Sequence, residues 1–319
     1  MTLIRTALAA AALALPLATQ AAGTLIYCSE GSPEGFDPSR YTAGTTFNAS
    51  AQPLFNRLIE FEPGGTRLEP ALAERWSVSA DGKVVTLSLR RGVKFHATEW
   101  FKPTRELNAE DVLFTFNRML DKDHPFNKAA PASFEYAQDM GLPANIVKLE
   151  APDPMTVRFT LKDVDAAFLA NLAMDFASIH SAEYAAQLLK AGTATDLNSK
   201  PVGTGPFVLR RYEKDAQIRY VAHEGYWKGR AKLDGLVYAI TKDSAVRMQK
   251  LRAGECHVSV YPKPAEVEAM RKDPNLKLLQ QQGLNIGYLS FNVNRPPFGK
   301  LEVRQAINMA IDKKALVAA

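Results

Sequence analysis

Apolar and polar residues alternate along Val85-Thr86-Leu87-Ser88-Leu89-Arg90, which puts Val85, Leu87 and Leu89 on one face of a strand. Trp76-Ser77-Val78-Ser79 alternates before it, and Asp81-Gly82 between the two runs is a two-residue hairpin signal. Thr156-Val157-Arg158-Phe159-Thr160-Leu161 repeats the pattern, while Thr24-Leu25-Ile26-Tyr27 and Leu236 to Ile240 read as further strands. Leu284 to Asn292 predicts one more, longer strand. A different period governs Val112, Leu113, Phe116, Met119 and Leu120, the core face of a helix. Asn108 caps that helix, with Asp111 three residues on, so Glu110 and Asp111 read as first-turn acids favoured by the helix dipole rather than as catalytic carboxylates. Helices are also predicted over Asn48 to Asn56, Ala166 to Asn171, Ala182 to Lys190, Ser244 to Arg252 with Gly254 closing it, Ala265 to Arg271, and a stretch whose Val303, Ala306, Ile307, Ala310 and Ile311 share one face. Residues 121–142, with Pro125 and Pro131, read as irregular. Strands and helices interleave throughout, the mark of an α/β fold.

The most shaped stretch is Pro201-Val202-Gly203-Thr204-Gly205-Pro206-Phe207. Two prolines fix φ and two glycines free it, so this is a fixed turn. It feeds a hairpin of Val208 to Tyr212 and Gln217 to Val221, with Lys214-Asp215 at its tip. Gly203-x-Gly205 is not a dinucleotide loop, because position 208 is Val and a strand follows where a helix should open.

Composition adds limits. The 319 residues suffice for two modest domains, and 46% hydrophobic with 23% charged residues is ordinary for a globular chain. The net charge of +5 is spread thinly, without the basic stripe and interleaved aromatics that nucleic-acid binding requires. Residues 1–22 read as a secretory signal: Arg5 is the positive region, Ala7 to Ala18 is apolar, and the small residues near Ala21/Ala22 offer a cleavage site. That apolar run is too short for a membrane span, which needs about 20 residues. Two cysteines, Cys28 and Cys256, form an even pair that reads as a disulfide in an oxidising compartment.

Signatures of chemistry are absent. The five histidines are isolated, and no metalloprotease helix, nucleophile elbow, phosphate-binding loop or calcium loop occurs. No enzyme activity and no cofactor are expected. Thr42-Ala43-Gly44-Thr45-Thr46 can offer hydroxyls and backbone N–H groups to a ligand, or can simply lead into a helix. The residues alone leave both readings open.

Several stretches together resemble the family-5 solute-binding proteins of ABC importers, in their peptide-binding group. They are the Pro201 turn, Leu72-Ala73-Glu74-Arg75-Trp76, Leu89 to His96, Phe101 to Val112, Leu172 to Ile179 and Val303-Arg304-Gln305-Ala306. Ala97 departs from the Asp usual after that histidine. The resemblance implies a two-lobe clamp with lobe one nearly complete and lobe two truncated: 1–22 signal, 23–68 and 190–281 lobe-one core, 69–189 lobe-one subdomain, and 282–319 the start of lobe two. It implies a periplasmic monomer that binds a dipeptide or short peptide and hands it to an inner-membrane ABC permease. Haem or another small solute is the alternative cargo. It also supplies a lobe-one wall of Thr42, Gly44, Thr45, Phe134 and Tyr136, with Phe134 standing where relatives often carry Tyr. The acidic residue and arginine that would pair with the peptide's termini match no position here. A chain ending at Ala319 is therefore expected to fold in lobe one and to bind dipeptide weakly.

Overall fold

Residues 23–281 and 288–318 are described in this computed structural model. The chain divides into two units, Met1–Leu278 and Leu279–Ala319. In the first unit the order is β1 (Thr24–Ser29), α1 (Gly44–Ala49), α2 (Ala51–Leu54), β2 (Ile59–Phe61), β3 (Leu68–Pro70), β4 (Ala73–Val78), β5 (Val84–Leu89) and α3 (Ala109–Leu120). Three short helices follow, α4 (Pro125–Ala129), α5 (Glu135–Asp139) and α6 (Leu142–Asn145), then β6 (Ile146–Asp153), β7 (Thr156–Leu161), α7 (Phe168–Asn171) and α8 (Ala182–Ala191). The unit closes with β8 (Phe207–Glu213), β9 (Gln217–Ala222), β10 (Gly235–Ile240), α9 (Ser244–Arg252), β11 (Val258–Ser259) and α10 (Pro264–Lys272).

A five-stranded sheet runs β11-β1-β10-β9-β8. Strand β1 pairs parallel with β10 on one side and β11 on the other, and the rest is antiparallel. Tyr220 donates its hydroxyl to the Ala49 carbonyl (2.6 Å) and Tyr238 to that of Asn48 (2.8 Å), fastening the end of α1 over this sheet. Cys28 and Cys256 are joined and buried, with Cα atoms 5.8 Å apart, so the disulfide staples β1 to the segment entering β11.

The second sheet, β4-β5-β7-β6, is antiparallel. Val85, Leu87 and Leu89 of β5 and Val157, Phe159 and Leu161 of β7 are all buried, as their alternation predicts. Helix α3 covers them with Val112, Phe116 and Met119, and Phe116 meets Phe159 edge-on at 5.2 Å between ring centres. Each such buried side chain contributes roughly 1.5–3 kcal/mol. The cap of α3 forms as expected. Asn108 Oδ1 accepts from the Glu110 N–H, and Asp111 Oδ2 accepts from the Asn108 N–H, both at 2.9 Å. Asp111 does more than cap: its Oδ1 accepts from the Ala182 N–H at 2.8 Å, and Arg105 grips both oxygens. One carboxylate thus ties together the starts of α3 and α8.

Some elements differ from expectation. The helix predicted over Asn48 to Asn56 begins earlier and breaks at Ser50, whose hydroxyl donates to the Thr46 carbonyl at 2.6 Å, and Phe55 is already extended. The helix predicted from Ala166 is only Phe168–Asn171. Strand β6 and the hairpin of β2 and β3 were not signalled, because their burial does not alternate cleanly. In the second unit, α11 (Leu301–Ala310) and α12 (Lys313–Ala318) are helical. Part of the predicted Leu284 to Asn292 strand, residues 284–287, lies outside the described residues. From Tyr288 to Asn292 the chain is not a strand, and Tyr288 and Leu289 are exposed.

The Pro201 turn is the fixed corner that its sequence implies. The Gly205 N–H donates to the Leu54 carbonyl at 3.0 Å. A Cβ on Gly203 would lie 1.9 Å from the Leu54 oxygen, and one on Gly205 2.5 Å from the Leu54 carbonyl carbon. These glycines are required by close approach of two backbones, not by unusual φ. Two histidines clamp the same corner: His96 Nε2 and His223 Nδ1 donate to the Gly205 carbonyl at 3.0 and 3.1 Å. Burial, then the neighbouring His223, push the His96 imidazole down to about 3, so it is neutral at pH 7.

Between pH 6.5 and about 3 the unfolded chain carries a proton on His96 that the folded protein excludes. Stability should therefore fall on acidification through that window, by about 1.4 kcal/mol per pH unit from this group. Denaturant melts from pH 7 to 4 check this. In His96→Gln, which keeps a donor for Gly205, the slope should shrink by about one proton; an unchanged slope contradicts the assignment.

Candidate functional site

Two segments of the first unit carry the residues expected to face a ligand, and one buried charge cluster sets both. The first segment runs from the end of β1 through residues 30–43 into α1. Asp37 in its middle is buried and meets Arg118 of α3 in a two-pronged ion pair, Nη1 to Oδ2 at 2.6 Å and Nη2 to Oδ1 at 2.8 Å. Ser39 Oγ donates to Asp37 Oδ1 (2.7 Å) and accepts from Arg118 Nη2 (2.8 Å). Burial alone would raise the Asp37 carboxyl, but Arg118, aided by His180 at 3.2 Å, outweighs it and holds the group well below its ordinary value. Burial, then Arg118, keep the His180 imidazole below its ordinary value as well.

The second segment leads into α5. The Phe114 and Phe134 rings lie 5.6 and 5.4 Å from the Arg118 guanidinium carbon. Cation–π attraction of this kind is worth about 2 kcal/mol when desolvated. Phe134 is thereby drawn into the core, 4% exposed, leaving Tyr136 two residues on to reach the surface half-buried.

The five wall residues therefore divide. Thr42 and Gly44 are exposed and Thr45 is half-buried, at the start of α1. The Tyr136 ring lies 6.0 Å from Phe47 of α1 and stacks on Phe176 at 5.9 Å. Phe47 thus joins the two segments. Phe134 serves the Arg118 pocket. The loop before α1 is pinned further by Asn198, whose Oδ1 accepts from the Phe36 and Asp37 N–H groups (3.2 and 3.1 Å) and whose Nδ2 donates to Tyr41 (2.7 Å).

Beside Tyr136 opens a concavity of about 500 Å³ lined by Phe47, Tyr136, Phe176, Arg57, Asp175 and Gln52, among others. Gln52 donates to Asp175 Oδ1 at 2.7 Å and Arg57 stands 3.3 Å from the same oxygen. Burial raises the Asp175 carboxyl, and Arg57 partly opposes it. Of these side chains, sequence reasoning assigned a role only to Tyr136. Gln52 lies in a predicted helix and Phe47 just ahead of it, and nothing local announces that Asp175 turns toward Arg57. Among the described residues no group of three or more His, Cys, Asp or Glu could hold a metal ion. The arrangement offers hydroxyls, backbone N–H groups and aromatic faces, a surface for binding.

Residues 67–319 match the model of the family described as bacterial extracellular solute-binding proteins, family 5, middle. The chain is 58% identical over 317 residues to di/tripeptide-binding protein 1 of Pseudomonas aeruginosa, covering 99% of this chain and 59% of that protein. It is 49% identical over 296 residues to heme-binding protein A of Haemophilus influenzae, covering 93% of this chain and 54% of the other. A solved dipeptide-binding protein from Pseudoalteromonas sp. SM9913, in complex with Met-Leu, superposes with a TM-score of 0.86 at 39% identity, over 93% of this chain and 58% of that one. The fold is that of the two-lobe periplasmic binding proteins, and the chain spans just under three-fifths of the length of these relatives.

The glycines of corner and wall separate in a test. Gly205→Ala should lose roughly 3 kcal/mol or more of folding stability, because its Cβ meets backbone. Nothing lies within 4 Å of a Cβ on Gly44. Gly44→Ala should be as stable as the parent, or up to about 1 kcal/mol more so. Equal destabilisation in parallel thermal melts would contradict the placement of these two loops.

Proposed function

The chain belongs to the bacterial extracellular solute-binding proteins of family 5, and from that premise we propose that it captures dipeptides and other short peptides in the periplasm for an inner-membrane ABC permease. The observation that carries this reading is 58% identity to a di/tripeptide-binding protein across 99% of the chain. The exposed start of α1, with Thr42, Gly44 and Thr45, and the adjacent Tyr136 would line the cargo from this side. Charge pairs to both peptide termini would select length, while a water-filled pocket would tolerate varied side chains. Residues 1–22 would be the export signal, cleaved near Ala21/Ala22; they lie outside the described residues. No helix among the described residues is long and apolar enough to cross a membrane.

The assignment of 23–68 with 190–281 as lobe-one core and 69–189 as its subdomain is supported by the sheets. The five-stranded sheet takes its strands from the first set and the four-stranded sheet from the second. Haem is the second cargo, favoured by the 49% identity to a heme-binding protein. The histidines here argue for peptide instead. His96 and His223 each donate a ring N–H to the Gly205 carbonyl, His180 is buried beside Asp37, and His124 Nδ1 and His257 Nδ1 accept from the Phe126 and Ile26 N–H groups at 3.2 and 3.0 Å.

Calorimetry on the full-length protein as its host exports it checks the proposal, with dipeptides, tripeptides, sugars and haemin as titrants. Heat with dipeptides or tripeptides, and no Soret shift with haemin, is expected. Binding of sugars alone, or a saturable Soret shift without peptide heat, would overturn it.

A further inference from the structure

Tyr261 follows β11 in a left-handed backbone conformation, φ 49°, and its side chain is 69% exposed. For a bulky residue this is a true outlier, and the proline after it, Pro262, restricts the position further. Strain of this kind costs on the order of a tenfold population penalty or more, and persists only where the surroundings over-determine it. They do so here from both sides. Upstream, Cys256 is bonded to Cys28, the His257 N–H donates to the Ile26 carbonyl at 2.8 Å, and β11 pairs with β1. Downstream, Glu266 of α10 accepts from the Lys263 N–H and from Ser244 Oγ of α9, both at 2.9 Å. The backbone on both flanks of Tyr261 is thus fixed, by a disulfide and strand pairing before it and a helix cap after it.

Its place in the fold gives that ring a use. In open α/β sheets ligands bind outside the carboxyl ends of the parallel strands. Tyr261 stands just past the carboxyl end of β11, beside β1, whose own carboxyl end leads into the wall loop. Tyr27 of β1 has Val258 of β11 as its register partner. Burial, then Glu30 and then the Tyr261 phenol raise its hydroxyl to about 12, and Asn48 of α1 donates to that hydroxyl at 3.5 Å. Gly31 lies against Thr45, a Cβ on it falling 3.6 Å from the threonine methyl.

We infer that Tyr261 is a further element of the binding wall, its ring laid against the bound peptide's amide plane and apolar side chains. This rests on the peptide-binding reading above. The full-length protein and its Tyr261→Gly and Tyr261→Phe variants are to be titrated with Met-Leu by calorimetry and melted without ligand. Glycine accepts positive φ freely, so Tyr261→Gly should melt no lower than the parent yet bind about tenfold more weakly. Tyr261→Phe should keep affinity within about threefold, since the ring remains. Unchanged affinity in Tyr261→Gly overturns this inference alone. Lost affinity together with a clearly lowered melting temperature also overturns it, by making the residue structural. Absence of Met-Leu and other peptide binding in the parent overturns the peptide reading and this inference with it.

Discussion

The ion pair between Asp37 and Arg118 is the constraint on which the proposed binding wall depends. Both side chains are about 2% exposed, so neither charge has water to fall back on. A buried pair is weak as a source of net stability, yet removing one partner typically costs 3–5 kcal/mol because the other charge is left alone. Its value here is positional. Asp37 sits in the loop that becomes the start of α1, Arg118 sits on α3, and Phe134 packs on the guanidinium just before α5. Both halves of the wall are therefore referenced to one charge centre.

A second set of polar contacts does the same for the other end of α1. Tyrosine hydroxyls from β9 and β10 donate to its last carbonyls, and the glycine corner at 203–205 packs on the end of α2 with two histidines on its carbonyl. The apolar packing of α3 on β5 and β7 supplies stability, and these polar contacts supply direction. A proposed peptide site needs the second more than the first, since misplacement of a wall by about 1 Å can forfeit affinity.

Much of the fold was legible in the sequence, and the reasons differ by element. Strands β5 and β7 announce themselves because one face is buried and the other is wet, so burial and alternation coincide. The cap of α3 is written in Asn108 and Asp111, three residues apart. Strand β6 is largely exposed at Val147 and Lys148 and carries register shifts, so its pattern is blurred. The wall was legible only in part. Thr42, Gly44 and Thr45 stand out as small hydroxyl-rich residues, but the withdrawal of Phe134 into the Arg118 pocket is a tertiary fact. So is the meeting of Arg57 with Asp175, 118 positions apart. The strain at Tyr261 leaves no mark in the sequence except the proline that follows it.

Amide hydrogen exchange on Asp37→Asn, compared with the parent protein, tests the positional claim most directly. Asparagine keeps the shape of aspartate and removes the charge that Arg118 requires. Exchange should accelerate together in residues 41–47 and 133–140, while amides of β5, β7 and the 203–205 corner stay protected. Unchanged protection of either wall segment, or loss of protection spread evenly over the whole unit, would contradict it.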